Sequence, residues 1–262
     1  MKFKLGCKPA KTIDNQPSMM RMRCVSDPAP ASMIRPHVNP APLMLMNDTT
    51  SDCTSAGMGN YIRAVSSIGG NMIAVTDEDA LTFYEEVTGY NPDRPETDTG
   101  AYESEALSHA MLHGFPTQAG NFYPLWGTCD IQDRNAVANV ICRFGATYLG
   151  VMLSSSDMAQ VSAQGINTVL TRNNTQYGDA TPGSAGGHCL LGWEYTGLQS
   201  DDTVTLLTWG MKIKCTWDWL ASRGMEAHGM LFPQLIKANG FYPTGQDLDI
   251  LREMNRGFLK NA

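Results

Sequence analysis

The sequence predicts an α+β fold in which helices come first and strands follow. Between residues 53 and 144, apolar residues recur at the three- and four-residue spacing of helices that bury one face. From residue 146 to residue 231 the pattern changes to short runs rich in β-branched and aromatic residues, which is typical of strands. With 262 residues, 42% of them hydrophobic, the chain can bury one substantial core. We therefore expect a helical lobe followed by an antiparallel β-sheet or barrel lobe.

Each element has its own local signal. Thr76 followed by Asp79 forms a capping box, which predicts a helix from there through Val87. The other predicted helices cover residues 53–67, 104–113, 131–144 and 217–223, and an amphipathic one covers 247–259. The predicted strands cover residues 146–153, 187–195, 203–209, 211–215 and 226–231.

The first 46 residues differ from the rest of the chain. They contain seven of the 14 prolines and show no helical or strand period, which predicts an extended or polyproline-like arm over residues 1–46. Such an arm could lie over its own domain or reach a neighbouring subunit. We expect residues 47–262 to form a single domain, with a mainly helical lobe at 47–144, a β lobe at 145–235 and a C-terminal tail and helix at 236–262.

Composition and charge exclude several classes of function. The net charge is −7 and the lysines and arginines form no cluster, so tight binding to nucleic acid is not expected. The chain has no run of about 18 apolar residues, so no membrane span is predicted. The N-terminus lacks the apolar stretch of a secretory signal peptide, and we therefore expect a cytoplasmic product.

Metal sites and cofactors are not expected either. The seven cysteines form no CxxC pair, which argues against a disulfide framework and against a zinc knuckle. His109 and His113 lie four residues apart on a predicted helix, as metal ligands can. Ala110 follows His109 where a zinc-protease helix has glutamate, so a surface helix with Glu105 beside His109 is the better interpretation.

Two residues carry the candidate chemistry. Cys53 stands where a loop turns into a helix, in the string NDTTSDCTSAG, and the positive end of the helix dipole there favours the thiolate. His188 lies in the string GSAGGHCLLGW, where Gly186 and Gly187 leave room for another backbone or a substrate beside the imidazole. The structural alternative is a strand-end histidine whose ring is hydrogen-bonded to a carbonyl.

Together, and in this order, Cys53 and His188 resemble the nucleophile and the histidine of the papain-like cysteine peptidases. The two residues are 135 positions apart, within the roughly 130–150 of that arrangement. Asn47 lies six residues before the cysteine and matches the amide that the family uses as an oxyanion donor, and Trp209 in TWG matches the indole that flanks the histidine. More narrowly, the strings NDxxxDCTxAG, GGH and WGxxxxxTWxW are similar to papain-fold proteins encoded by tailed bacteriophages and their hosts.

The resemblance implies a thiol hydrolase. In it Cys53 would attack a carbonyl, His188 would transfer the proton, and Asn47 with the Cys53 N–H would hold the oxyanion. Three residues depart from the family pattern. Thr54 stands where the family usually has an aromatic residue, and Thr50 stands where it has a disulfide cysteine. The third departure bears on the histidine. Leu207 stands where the family has the asparagine that orients the histidine, and a leucine cannot accept an imidazole N–H. Water, a backbone carbonyl or Thr208 could take its place.

Two functions therefore stay open. The first is a phage-encoded cysteine peptidase or amidase with a Cys53–His188 dyad and a peptide or protein substrate. The second is a catalytically idle papain-fold component of a tailed-phage virion, a head or tail decoration or assembly protein that contacts other virion proteins through its arm. In both cases we expect the protein in the host-cell cytoplasm or assembled into a virion. An open groove beside the dyad would favour the first function, and a groove filled by the arm would favour the second.

Overall fold

A computed structural model describes residues 3–14, 16–19 and 23–246 of the chain. The predicted α+β fold is confirmed, with helices before strands along most of the chain. The helices are α1 (Arg23–Ser26), α2 (Cys53–Ile68), α3 (Asp77–Thr88), α4 (Glu103–His113), α5 (Arg134–Phe144), α6 (Ser155–Gln164) and α7 (Trp217–Arg223). The strands are β1 (Leu125–Cys129), β2 (Thr147–Leu153), β3 (Val169–Leu170), β4 (Gly186–Tyr195), β5 (Thr203–Thr208), β6 (Met211–Thr216) and β7 (Gly224–Leu231).

The seven strands form one sheet in the order β1-β7-β2-β4-β5-β6-β3. All neighbouring pairs are antiparallel except β3 with β6, which is parallel. In the pairing of β2 with β4, Val151 lies opposite His188. The strand order places β4, which begins just before His188, in the middle of the sheet rather than at an edge.

Helix α2 crosses the core between the two lobes, and every residue from Cys53 to Ser66 is buried. The hydroxyl of Tyr61 donates to the carbonyl of Ala146 (2.8 Å) and accepts from the N–H of Met230 (3.1 Å), which ties the helix to β7 and to the start of β2. Gly57 permits close contact with β4, because a Cβ atom there would lie 2.9 Å from the sulfur of Cys189. The start of α2 is thereby held against the start of β4.

The arm lies over its own domain in the part of the chain that the structure describes. Near its middle the backbone N–H of Met19 donates to Thr128 of β1 (2.9 Å), and further along Met33 forms an antiparallel bridge with Tyr195 of β4. The guanidinium of Arg35 packs over the ring of Trp193, with its carbon 4.5 Å from the ring centroid. Of the two arrangements left open by the sequence, the arm therefore adopts the first.

Four elements differ from the sequence predictions. Helix α1 lies within the stretch predicted to be an extended arm, and strand β1 lies within the lobe predicted to be mainly helical. Helix α6 and strand β3 lie in a stretch with no predicted element. Helix α6 does carry a local start signal, a capping box between Ser154 and Asp157. The terminal helix predicted at residues 247–259 lies outside the described residues. None of the helices in the described ranges is long and apolar enough to cross a membrane.

Candidate active site

The structure brings Cys53 and His188 together between the two lobes. Cys53 is the first residue of α2 and His188 is the third residue of β4. Both line one small cavity of about 10 Å³, whose wall also includes Asn47 and Trp209. Each of the two side chains is only 1% exposed. The site is assembled, but it is closed to solvent.

His188 has a side-chain partner despite the leucine at position 207. Its ring Nε2 lies 2.7 Å from the hydroxyl oxygen of Thr208, and both residues are buried. Its Nδ1 has no hydrogen-bond partner among the described residues. A hydroxyl can accept from an imidazole N–H or donate to it. Of the three substitutes considered for the missing asparagine, the structure therefore shows Thr208, the residue next to Leu207.

Trp209 reaches His188 because of the turn that joins β5 to β6. Thr208 pairs with Met211, so the hairpin loop has two residues, Trp209 with φ +47° and Gly210 with φ +69°. Two positive φ values are those of a type I′ turn, in which a non-glycine residue is disfavoured by about 1–2 kcal/mol. The indole stacks on the imidazole at 4.0 Å between centroids and 15° between planes. The predicted strand at 203–209 thus ends one residue early, and the last predicted strand residue is the one that flanks the histidine.

Asn47 lies in the turn before α2 and is buried beside the dyad. Its amide nitrogen donates to the carbonyl of Thr50 (3.3 Å). The same side chain also hydrogen-bonds the carboxyl of Asp52, which partly opposes the burial that raises the pKa of Asp52. Asn47 therefore holds the turn before α2, and it lines the cavity that Cys53 and His188 share.

The first residues of the arm occupy the groove beside the dyad. Residues 3–8 run in extended conformation between the two lobes and pair with both of them through the backbone. Cys7 forms a parallel bridge with Ala101. The bonds, donor first, are Lys4 N to Asn47 O (3.0 Å), Ala101 N to Gly6 O (2.9 Å), Cys7 N to Gly187 O (3.2 Å) and Lys8 N to Ala101 O (2.9 Å).

Two glycines allow the arm to approach this closely. A Cβ atom at Gly6 would lie 1.9 Å from the backbone oxygen of Ser51, and one at Gly187 would lie 2.1 Å from the backbone oxygen of Cys7. Side chains at either position would therefore push the arm out of the groove. The sequence predicted that glycine at position 187 admits another backbone beside the histidine, and the backbone found there is the arm's own.

Side chains of the arm also cover the cleft tryptophan. The ring of Phe3 stacks on Trp209 at 4.7 Å, on an indole that also stacks on His188. The indole N–H of Trp209 donates to the carbonyl of Lys4 (3.3 Å). Residues 3–8 have no sequence period that points to this groove, so sequence reasoning could predict the arm but not its contacts.

Burial controls the electrostatics of the dyad. It raises the pKa of Cys53 to about 12, and the nearby carboxyls of Asp52 and Glu103 act in the same direction. The backbone N–H groups of Cys189 and Gly6 oppose this rise. Burial also lowers the pKa of His188 to about 3. The thiolate expected from the helix N-terminus is thus outweighed by burial, and this closed state pairs a neutral thiol with a neutral imidazole.

The His109 and His113 pair lies away from this site on α4. The two rings are 4.5 Å apart, and His109 Nε2 lies 3.2 Å from a carboxylate oxygen of Glu86 on α3. The prediction that Glu105 accompanies His109 is wrong, because Glu105 pairs with Lys11 of the arm (2.6 Å). Both pairs lie on the outer surface of α4.

The backbone of this chain is similar to those of solved cysteine proteases. Xylellain, a cysteine protease from Xylella fastidiosa, aligns with a TM-score of 0.61 at 11% identity, over 87% of this chain and 96% of that one. The digestive procathepsin L 3 of Tenebrio molitor larval midgut aligns with a TM-score of 0.59 at 10% identity, over 85% and 75% of the two chains. The chain has a papain-like fold. No family model and no curated protein matches the sequence.

A third solved structure shares the papain-like fold. ProCathepsin B S9 from Trypanosoma congolense aligns with a TM-score of 0.53 at 11% identity, over 87% of this chain and 86% of that one. Identities of this size show a common fold and leave activity to be argued from the site. The predicted papain-like architecture is confirmed.

Proposed function

We propose that this protein is a papain-like cysteine peptidase or amidase that its own N-terminal arm keeps latent. Cys53 is the nucleophile and His188 the base. The observation that carries the proposal is the contact of 2.7 Å between His188 Nε2 and Thr208 Oγ1. With Nε2 held by Thr208, Nδ1 is the ring nitrogen left for the thiol of Cys53, which lines the same cavity. The hydroxyl of Thr208 thereby gives the ring the fixed orientation that the base of a cysteine dyad needs.

The proposed mechanism uses Cys53, His188 and Asn47. His188 Nδ1 takes the proton of the Cys53 thiol, and the sulfur attacks the carbonyl carbon of a peptide or amide substrate. The backbone N–H of Cys53 and the amide of Asn47 stabilise the resulting oxyanion. His188 then gives its proton to the leaving amine, which leaves a thioester on Cys53. Water hydrolyses the thioester with His188 as base, and the thiol is regenerated.

The arm blocks this chemistry in two ways. It fills the groove where an extended substrate would pair with Ala101 and Gly187. It also presents the wrong atoms to the nucleophile, because the N–H of Gly6 approaches the sulfur of Cys53 while the Gly6 carbonyl is bonded to Ala101. An N–H group cannot be attacked by a thiolate. The arm therefore occupies the cleft without being a substrate.

Departure of the arm would also activate the dyad. Water entering the groove reduces the desolvation that raises the pKa of Cys53 and lowers that of His188. Both pKa values then move toward each other, which favours transfer of the proton from sulfur to imidazole. The same movement opens the groove and prepares the nucleophile.

The second candidate, a catalytically idle papain-fold component of a tailed-phage virion, rests on the same filled groove. An arm seated over Cys53 and His188 is what a fold kept only for assembly would show, and the phage-like strings around both residues favour that origin. In that case the arm and the outer surface would contact other virion proteins, in the host cytoplasm and then in the particle. A peptidase carried within the particle would combine the two candidates.

Thiol reactivity distinguishes them. The full chain, a Gly6→Ala variant and a variant lacking residues 2–9 are treated with E-64 or with iodoacetamide, and labelling of each cysteine is followed by peptide mass spectrometry. The latent enzyme predicts slow labelling of Cys53 in the full chain and fast, selective labelling in both variants. A Cys53→Ala version of each variant is the control. If Cys53 in both variants reacts no faster than the other thiols, the catalytic proposal is wrong and the structural function stands.

A further inference from the structure

A second group of polar side chains is buried between the lobes, beneath the arm. Glu103 is the first residue of α4, and Glu226 and His228 are on β7. Residues two apart on a strand point to the same face of the sheet. The three side chains thus meet across the boundary between the helical lobe and the sheet. They are 0%, 7% and 0% exposed.

The distances in this group match those between the ligands of one metal ion. His228 Nε2 lies 3.2 Å from a carboxylate oxygen of Glu226 and 3.5 Å from one of Glu103. One donor atom from each of the three residues lies within 4.8 Å of the others. Bonds of about 2.0–2.2 Å at tetrahedral angles place neighbouring donor atoms about 3.3–3.6 Å apart. The arrangement needs little adjustment to close around an ion.

The carboxylates lack enough hydrogen-bond partners to be stable as anions on their own. Glu103 Oε2 and Glu226 Oε1 are fully buried and accept no hydrogen bond from the described residues. Two carboxylates buried side by side repel each other unless a cation or a proton lies between them. One imidazole can supply at most one N–H to the pair through its Nε2. A divalent ion would neutralise both carboxylates.

The outer nitrogen of His228 is held as metal-ligating histidines usually are. Its Nδ1 lies 3.1 Å from the hydroxyl oxygen of Thr128 on β1. The same hydroxyl accepts from the side-chain amide of Gln16 in the arm (2.7 Å). If Thr128 accepts from Nδ1–H as well, the lone pair of Nε2 points at the two carboxylates. Outer contacts of this kind fix the tautomer that binds metal.

A route for an ion leads to this group from the surface. A cavity of about 210 Å³ is lined by arm residues on one side and by β1 and β7 residues on the other. Thr128 and Glu226 both form part of its wall. Glu226, the least buried of the three candidate ligands, is therefore the one that an ion entering through the cavity meets first.

We propose that Glu103, Glu226 and His228 bind one divalent transition-metal ion of the zinc class. One imidazole nitrogen and two carboxylate oxygens suit Zn²⁺ and Co²⁺, whereas Mg²⁺ prefers oxygen ligands alone. The ion joins α4 to β7 and so links the two lobes. It also lies under the arm, because the other oxygen of Glu103 is 3.9 Å from the sulfur of Cys7. This site is independent of whether Cys53 is active.

Cobalt titration tests the proposal on the full chain. After chelator treatment and desalting, Co²⁺ is added to the wild type, to Glu226→Gln and to Thr128→Val, and visible absorption is recorded. We expect one bound Co²⁺ per chain, no thiolate-to-cobalt charge-transfer band, displacement by Zn²⁺ and none by Mg²⁺. Loss of an outer hydrogen bond typically weakens metal binding roughly 10–100-fold, so Thr128→Val should show a loss of that size. Glu226→Gln should lose at least as much.

The matched control is His109→Ala, which removes a histidine that contacts a glutamate at the surface. This variant should bind Co²⁺ as the wild type does. Absence of a 1:1 cobalt complex in the wild type, a thiolate charge-transfer band, or unchanged affinity in both Glu226→Gln and Thr128→Val would overturn the proposal. Far-UV circular dichroism checks folding, and Thr128→Val, which keeps side-chain shape, decides the matter if Glu226→Gln unfolds.

Discussion

Replacing Thr208 by valine tests the contact on which the proposed chemistry depends. Valine has nearly the shape of threonine, so the change removes the hydroxyl without leaving a cavity. It leaves Nε2 of His188 without its partner at 2.7 Å, in a ring whose Nδ1 already has none. A buried polar group left unsatisfied costs about 1–3 kcal/mol. For a chain of this size, each kcal/mol lowers Tm by about 2–4 °C.

The second effect of Thr208→Val is on reactivity. In the Gly6→Ala background, where the arm is displaced, the imidazole of His188 would no longer be held in one tautomer and orientation. We expect Cys53 to be alkylated at least roughly 10-fold more slowly, which is part of the roughly 10²–10⁴ that a positioned base supplies. The assay is the rate of iodoacetamide labelling as a function of pH, together with thermal unfolding. Thr208→Ser, which restores the hydroxyl, should recover both values.

The control for this experiment is Thr147→Val on β2. Thr147 is fully buried in the same sheet, its hydroxyl donates to the carbonyl of Val137 in α5 (3.4 Å), and it does not line the cavity that holds Cys53. It should change stability and leave the labelling rate of Cys53 unchanged. If Thr208→Val lowers Tm but does not slow labelling, Thr208 is only a structural partner of His188, and the mechanism needs another orienting group.

Three further predictions follow from buried contacts. Phe3→Ala should speed the labelling of Cys53 in the full chain roughly 2–10-fold, because the aromatic pair of Phe3 and Trp209 stabilises the bound arm by about 0.5–1.5 kcal/mol. An unchanged rate would mean that the arm does not control access to the thiol. His188 stays neutral in the fold with a pKa of about 3, against about 6.5 when unfolded, so its contribution to stability is complete above pH 6.5 and is lost as the pH falls toward 3. When the pH falls from 7 to 5, the free energy of unfolding of His188→Gln, measured in urea, should therefore decrease by about 2 kcal/mol less than that of the wild type. Equal decreases would mean that His188 is not a buried neutral ring. Arg223→Met should lower the free energy of unfolding by about 3–5 kcal/mol, because it leaves the buried carboxylate of Asp157 without its ion-pair partner. Arg172→Met, which breaks an exposed pair, should lower it by less than about 1 kcal/mol. Similar losses in the two variants would show that burial does not set the strength of these ion pairs.

Local signals explain why much of the fold could be predicted. The capping box of Thr76 and Asp79 is present as predicted, and the helix it starts ends one residue beyond Val87. The start of α2 at Cys53 could be predicted because apolar residues follow it at helical spacing. By contrast, β1 (Leu125–Cys129) is five residues long and pairs with β7, about 100 positions later. A strand whose partner is that remote has no local signal that separates it from a buried turn.

The candidate site shows the same division. Cys53 and His188 could be predicted because each has a distinctive local sequence, a helix start in one case and a pair of glycines in the other. The stacking of Trp209 on His188 depends on a turn in which Trp209 adopts φ +47°, and tryptophan does not predict such a turn. The group formed by Glu103 and the β7 residues joins positions more than 120 apart. No spacing in the sequence could have placed them together.

The stack of Phe3, Trp209 and His188 connects the arm to the chemistry. One face of the indole contacts the arm and another contacts the imidazole, and the indole N–H donates to the arm backbone at Lys4. When the arm leaves, Trp209 loses a stacking partner and a hydrogen-bond acceptor at once, while its turn still holds it in a disfavoured conformation. Its position against His188 then depends on the turn and on the stacking with the imidazole. The turn and the hydroxyl at position 208 together hold the indole and the imidazole where the proposed latent hydrolase needs them as soon as its groove opens.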